Sequence, residues 1–295
     1  MIDRSSWPLR IAERLSWRLP IEIPPAVSNA YLRKTVDDDF DGYVYPPDPF
    51  RVLWVDPDRI ERFTGRPYPP YRRKVADLGR VRDGEWDRTD PPIADEAYRH
   101  RYDLYRAEKF SGSVFYRSLR ERFEEHTDWT ETKFVRRCLD LAADDEPSWR
   151  STTSEAEILR RCEEVDALYE SIREDGYRSQ RDLGVRSILR VTDEVLVDVA
   201  RDGTLLFVSG RHRLAIAKLL GVEAIPVGVL VRHADWMDSR EAYAQEGAGA
   251  ADSDSRRSAP PDLRDLARTE SSEMPPGTES SEMSPGTERR RVDAQ

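Results

Sequence analysis

Hydrophobic and polar positions alternate with a period of two near residue 195. Across residues 195–200, valines occupy every second position, and β-branched residues at that spacing predict a strand. The pair Asp202-Gly203 predicts a two-residue type I′ hairpin turn, in which both central residues need positive φ. The apolar run 205–208 then predicts a returning strand that is buried on both faces.

A loop, a helix and a third strand follow this predicted hairpin. The loop consists of Ser209, Gly210, Arg211, His212 and Arg213. Apolar residues at helical spacing predict a helix over residues 211–220, and Gly221 is suited to its C-terminal end. The apolar run 225–231 predicts the third strand.

The start of the predicted helix has the chemistry of an anion site. The first backbone N–H groups of a helix have no partner inside it, and the helix dipole is positive there. Gly210 permits close approach to the backbone, while Arg211 and Arg213 supply charge, a combination that favours phosphate. The alternative is a basic, exposed turn without a ligand, in which His212 packs in the loop instead of transferring protons.

Upstream of the hairpin, the chain predicts a long helix. Ser154 and Glu157 form a capping box at its start, and Gly176 follows its end. Residues 188–191 are predicted to form a strand, and a last short helix is expected to extend to about residue 246. Cys138 and Cys162 fall on predicted helices and have no metal-binding spacing, so we expect small buried side chains.

The amino-terminal 150 residues are predicted as two regions. Residues 1–50 comprise a short amphipathic helix, either a partner-binding arm or packed on the domain, and an extended connection rich in Pro and Asp. Residues 51–150 comprise a strand at 51–56, a strand and hairpin at 79–87, and a helical insert at 92–145. Four further residues are either one wall of the anion site or ordinary salt-bridge partners: Tyr71, Arg72, Arg73 and Arg82.

The carboxyl-terminal region 247–295 has the composition of a disordered tail. It contains no Phe, Trp or Tyr, and the sequence TESSEMPPG is followed at once by TESSEMSPG. Such a segment buries too little apolar area to offset the entropy of ordering it. Residues 151–246 are expected to form the core domain.

Composition narrows the classes of function. The net charge is −10, and only five of the 47 basic residues are lysine, as in halophilic proteins. An acidic chain has no general attraction for nucleic acid, so such binding needs a local basic patch. No apolar run is long enough to cross a bilayer, so we expect a soluble, cytoplasmic protein with no membrane partner.

The stretch FVSGRHRLAIAKLLGVEAIPVGVLV, together with LYESIREDGYRSQ upstream, resembles the ParB N-terminal domain and sulfiredoxin superfamily over roughly residues 154–236. The resemblance implies an α+β fold, a small mixed sheet with packed helices, to which a helical insert and a disordered tail are added. It also implies that Ser209 to Arg213 hold the phosphates of a nucleotide, ATP or CTP, with Mg²⁺. Arg211 stands where sulfiredoxins carry their catalytic cysteine, which argues against reductase chemistry.

Three functions follow from these observations. The first is a nucleotide-binding domain that hydrolyses or transfers phosphate, for which Glu194, Asp198 and Asp202 are nearby candidate bases. The second is a nucleic-acid-associated protein of the ParB-like nuclease type. The third is a non-catalytic scaffold for protein partners. No catalytic residue and no metal ligand is fixed by a motif.

Overall fold

The computed structural model describes residues 24–93, 99–149, 152–245 and 260–266. Helices and strands are mixed, as expected for an α+β protein. The helices are α1 (Pro25–Thr35), α2 (Arg99–Tyr105), α3 (Val114–Glu124), α4 (Lys133–Ala143), α5 (Glu155–Asp175), α6 (Arg211–Leu219) and α7 (Ala234–Gln245). The strands are β1 (Val52–Val55), β2 (Arg62–Phe63), β3 (Arg80–Arg82), β4 (Val195–Val199), β5 (Leu205–Ser209) and β6 (Ile225–His233).

The six strands form one mixed sheet, in which five follow the order β1-β6-β4-β5-β2 and β3 lies off this path beside β6. β1 pairs antiparallel with the first half of β6, and β3 pairs parallel with its last three residues. β4 lies parallel to β6 and antiparallel to β5, while β2 pairs parallel with β5. The central strands β4 and β6 are buried along their whole length, so the core lies on both faces of the sheet.

The period-two pattern of β4 distributes its side chains between two apolar clusters. The three valines at 195, 197 and 199 belong to the cluster formed with α2 to α6, whereas Leu196 belongs to the cluster on the opposite face. That second cluster includes Leu32 of α1 and Val191. The predicted burial of 205–208 on both faces is confirmed.

The hairpin between β4 and β5 is confirmed, but the predicted type of turn is wrong. The N–H of Ala200 donates to the carbonyl of Thr204 (2.9 Å) and the N–H of Gly203 to that of Ala200 (3.0 Å), which encloses a three-residue loop. Gly203 takes a φ of +80°, and Asp202 does not share the positive φ that a type I′ turn requires. A Cβ on Gly203 would lie 2.5 Å from the Trp236 ring, so close packing against α7 requires glycine here.

Two further predictions of secondary structure are wrong because tertiary packing decides the conformation. Residues 188–191, predicted as a strand, belong to a 3₁₀ helix (Ile188–Asp193). Ile188 and Val191, three residues apart, both enter the second cluster, and the 3₁₀ period of three places them on one side. Part of the predicted extended connection 20–50 is helix α1, which begins at Pro25 and packs Leu32 inward.

The prediction for residues 79–87 also needs correction. A strand forms within this region as β3, but it pairs with β6 instead of forming a hairpin.

The predicted disorder of the carboxyl-terminal tail needs correction for one segment. In the region 247–295, residues 260–266 form a short turn whose Asp262 and Leu263 are buried. The expectation of disorder is therefore wrong for this segment. The predicted amino-terminal helix and the nine-residue repeat lie outside the described residues.

Candidate functional site

The chain passes from β5 into α6 through Gly210, whose conformation only glycine adopts easily. Its φ is +89°, and a Cβ there would lie 2.9 Å from the Cα of Val195. The carbonyl of Gly210 accepts the N–H of Leu214 at 3.0 Å, which starts the helix. The N-cap residue of α6 is Gly210 itself, which has no side chain to accept a hydrogen bond from the first turn.

This helix start opens into a cavity of about 640 Å³. All five loop residues predicted from the sequence, from Ser209 to Arg213, line it. Other walls come from the segment 68–74, from Tyr105 and Trp149, from α5 and from residues 192–194. Among the described residues, four lysines or arginines and three carboxylates face the cavity, and together they carry one net positive charge in an acidic protein. The residues are Lys74, Arg161, Arg211, Arg213, Glu164, Asp193 and Glu194.

The guanidinium of Arg211 lies over an aromatic ring. Its guanidinium carbon is 3.6 Å from the centroid of the Tyr105 ring. Burial raises the pKa of the Tyr68 phenol, whereas the charge of Arg211 and a hydrogen bond from it lower that pKa. Two tyrosines therefore orient this guanidinium without neutralising it, and its remaining N–H groups are suited to an anion.

Arg213, in contrast, is held by acceptors of the protein. Its Nη1 lies 3.3 Å from Oε2 of Glu194, and its Nη2 donates to the backbone carbonyl of Asp193. These contacts fix the first turn of α6 to the chain that enters β4. Arg213 carries positive charge to the cavity wall in a fixed position.

His212 is a packing residue in this structure. Its ring stacks on Trp149 with centroids 5.6 Å apart and an interplanar angle of 16°. The Phe115 ring meets it edge-on at 5.1 Å. The alternative in which the histidine packs in the loop is the one that the structure shows.

The opposite wall carries charge in ion pairs. Lys74 Nζ lies 2.7 Å from Asp193 Oδ1 and donates to the carbonyl of Thr192 at 3.0 Å. Arg161 lies 3.4 Å from Glu164 on the next turn of α5. Both carboxylates are about half exposed, so water reaches these pairs and a ligand can exchange with them.

Of the three candidate bases near the loop, only Glu194 lines the cavity. Asp198 is fully buried in an ion pair with Arg66 at 2.7 Å, and Asp202 accepts the N–H of Thr204 in the hairpin turn. Burial raises the pKa of Glu194, although the N–H of Gln180 and the charge of Arg213 act in the opposite direction. The backbone N–H of Gln180 donates to Glu194 Oε1 at 2.7 Å.

The carboxylates at the cavity do not fit a preformed Mg²⁺ site. Mg²⁺ is usually held by one or two carboxylates together with phosphates and water, but Asp193 is paired with Lys74 and Glu194 with Arg213. Among the described residues, one group has the spacing of metal ligands: Asp83, His233 and Asp235. Both ring nitrogens of His233 already contact backbone atoms, of Asp235 at 3.1 Å and of Gly84 at 2.8 Å, which argues against a metal there.

Tyr71, Arg72, Arg73 and Arg82 were predicted to be either one wall of the anion site or ordinary salt-bridge partners. Of these four residues, Tyr71 lines the cavity. Arg82 pairs instead with Asp77 at 3.0 Å. In the acidic stretch 37–41, Asp37 and Asp39 each form an ion pair with Arg80 at 2.7 Å. Cys138 and Cys162 are buried and unbonded, as predicted, and burial raises the pKa of each thiol to about 12.

Sequence reasoning missed the residues that reach the cavity from distant parts of the chain. Tyr68, Tyr105, Trp149 and Arg161 have no spacing relative to the loop that would reveal them. The charged end of Arg161 beside apolar positions of α5 was a weak signal, because a charge on the buried side of a helix needs a partner.

Comparison with known proteins gives no relative on which to base an assignment. No protein-family model, curated protein or solved structure matches the chain. Within the described parts of the chain, every helix is too short or too polar to span a bilayer.

Proposed function

We propose that the protein binds a nucleotide in this cavity, with its phosphates at the start of α6. The observation that carries the proposal is the helix start itself, which follows a glycine N-cap and opens into a cavity that four lysines or arginines of the described residues line. Backbone N–H groups at a helix start, the positive end of the helix dipole and guanidinium groups together favour phosphate oxygens. The resemblance of the loop to ParB-like and sulfiredoxin-like domains supports the same ligand.

The two arginines of the loop have different roles in this proposal. Arg211 offers its outer N–H groups to a phosphate, because tyrosines hold it and no carboxylate of the described residues pairs with it. Arg213 holds the helix start in place through Glu194 and the backbone of Asp193. Loss of Arg211 is expected to weaken binding directly, whereas loss of Arg213 also disturbs the loop.

Aromatic side chains at the Arg211 end suit the rest of a nucleotide. Tyr68, Tyr71 and Tyr105 line the cavity beside Arg211. The Tyr105 ring already carries Arg211, and Tyr71 offers a flat ring on which a base can stack. The cavity volume of about 640 Å³ lies within the range of small-molecule and cofactor sites. Mg²⁺ accompanies the nucleotide as it does in solution, since the protein carboxylates do not form a site for it.

The test is thermal unfolding of the full chain with ATP, CTP, GTP or ADP plus Mg²⁺, in molar KCl and in moderate salt. A nucleotide at 100 times its dissociation constant stabilises the folded state by about 2.7 kcal/mol. We expect a rise in Tm with at least one nucleotide and its loss in Arg211→Ala. The matched control is Arg160→Ala, which removes a guanidinium that is 62% exposed on α5 and keeps the shift. Absence of any shift at either salt concentration contradicts the proposal.

A further inference from the structure

The carboxylate of Glu194 is held beside the place proposed for phosphate. Its Oε2 lies 3.3 Å from Nη1 of Arg213 in the first turn of α6, and its Oε1 accepts the N–H of Gln180 at 2.7 Å. Val195, the next residue, touches Gly210 so closely that a Cβ there would lie 2.9 Å from its Cα. The carboxylate is therefore fixed in the cavity wall next to the loop.

A carboxylate at this position opposes the binding of an anion, so a site that only binds phosphate gives no reason for Glu194 to lie there. The Glu194 side chain is 1% exposed, and a buried negative charge repels a neighbouring phosphate because the low dielectric screens it poorly. The other two carboxylates of the cavity, Glu164 and Asp193, are about half exposed and paired with cations of their own wall. Of the three, Glu194 is the one that burial and fixed hydrogen bonds place next to the helix start.

A carboxylate with these properties matches the requirements of a general base. Such a base works best when its pKa is raised toward the operating pH, and burial raises that of Glu194. It must also keep an acceptor site for a proton. Each carboxylate oxygen has two lone pairs, and the described contacts use one on each: Arg213 on Oε2 and Gln180 on Oε1.

We propose that Glu194 is the catalytic base of a nucleotide phosphohydrolase, an inference that rests on the proposed nucleotide site. A water molecule between Glu194 and the terminal phosphate gives its proton to the carboxylate while its oxygen forms a bond to phosphorus. The bond between that phosphorus and the bridging oxygen breaks, and the electron pair stays on the leaving nucleotide. Inorganic phosphate and a nucleotide shortened by one phosphate are the products.

Binding and turnover are measured together in the full chain. Thermal shift and phosphate release with Mg²⁺ and each nucleotide are compared for the wild type, Glu194→Gln and the control Glu163→Gln, which removes an exposed carboxylate of α5 outside the cavity. Glu194→Gln is expected to retain a thermal shift with nucleotide, because its amide oxygen can still accept one of the two hydrogen bonds that fix Glu194 beside the loop. Its phosphate release is expected to fall by about 100- to 10,000-fold, whereas Glu163→Gln retains the wild-type rate.

The pH profile separates a catalytic base from a structural residue. Around Glu194 lie Arg213 of α6, Asp182 of the preceding turn and the Tyr177 phenol. Since burial raises the pKa of Glu194, the wild-type rate should increase with pH through a value above that of an ordinary carboxylate. This ascending limb should be missing from the residual activity of Glu194→Gln.

The possible failures are distinguishable. If no nucleotide shifts the Tm of the wild type, the proposed function fails and the role of Glu194 fails with it. If a nucleotide binds but no phosphate is released, or Glu194→Gln keeps the wild-type rate, the nucleotide site stands and the base is overturned. Should Glu194→Gln not fold, Glu194→Asp preserves the charge but withdraws it by one methylene, and a wild-type rate in that variant overturns the inference.

Discussion

Arginines occur in two different surroundings in this protein. Arg66, 2% exposed, is fully matched by acid, with Nε and Nη2 on Asp198 at 2.7 and 3.0 Å and Nη1 on Asp77 at 2.6 Å. At the cavity, Arg211 lies on the Tyr105 ring, and the described residues provide it with no carboxylate partner. The number of carboxylates paired with a guanidinium, and not its burial alone, therefore distinguishes an arginine that stabilises the fold from one that can bind a ligand.

The largest loss of stability is expected when a carboxylate that pairs with a buried arginine is removed. Asp198→Ala leaves Arg66 with only Asp77 in the core and removes the acceptor of the Val231 N–H at 3.1 Å. Breaking a buried ion pair costs about 3–5 kcal/mol, which denaturant unfolding measures. The control is Asp37→Ala, whose carboxylate is 74% exposed beside Arg80 and should cost less than about 1 kcal/mol. Equal stability of the two variants would refute the distinction.

A second buried arginine depends on the segment 260–266. Arg232 binds Asp262 through Nε at 2.8 Å and Nη2 at 2.6 Å, and Trp236 donates to the same carboxylate at 3.0 Å. A chain that ends at Gln245 loses this partner, so we expect it to be less stable by about 3 kcal/mol. The control is a chain that ends at Leu266, measured in the same urea titration. Identical midpoints for the two chains would show that Asp262 does not stabilise the core.

Sequence reasoning was most successful where structure is determined locally. The period-two valines of 195–199, the loop glycine and the helix from Arg211 are confirmed because neighbouring residues dictate them. The pairing of β3 with β6 and the seating of Asp262 on Arg232 join positions 30 or more residues apart. No local pattern encodes such contacts.

The candidate site likewise has one part that the local sequence determines and another part that long-range packing determines. The five loop residues were predicted, because an uncapped basic helix start is visible in the sequence. The tyrosine that orients Arg211 and the selection of Glu194 among three acidic residues required the fold. The sequence thus predicted the loop that forms one side of the cavity, and tertiary packing determined the other walls.

Arg201 is an intermediate case, in which an arginine pairs with a carboxylate at the edge of the core. Burial alone would raise the pKa of Asp87, but hydrogen bonds from the side chain and backbone of Arg201, and its charge, lower that pKa to about 2. A lowered pKa stabilises the fold above the ordinary carboxylate value, and the contribution disappears as pH falls through about 2. The stability difference between wild type and Asp87→Asn should therefore be full at pH 6, about 1–3 kcal/mol, and shrink in acid. A difference independent of pH would contradict this assignment.

The smallest effect on stability is expected at the cavity. Arg211→Ala removes a cation–π contact and leaves no buried acid without a partner, so we expect a loss of about 0.5–1 kcal/mol. Urea unfolding of the variant without ligand measures it. A loss as large as that of Asp198→Ala would place Arg211 among the arginines that hold the fold.

Amide hydrogen exchange at the start of α6 tests the central claim most directly. The full chain is measured with and without Mg-ATP and Mg-CTP, and exchange of the backbone N–H groups of Arg211, His212 and Arg213 is followed. We predict that a bound nucleotide slows exchange at these three positions and that Arg211→Ala abolishes the protection. Unchanged exchange there, while a nucleotide binds and protects another part of the chain, would contradict a phosphate site at this helix start.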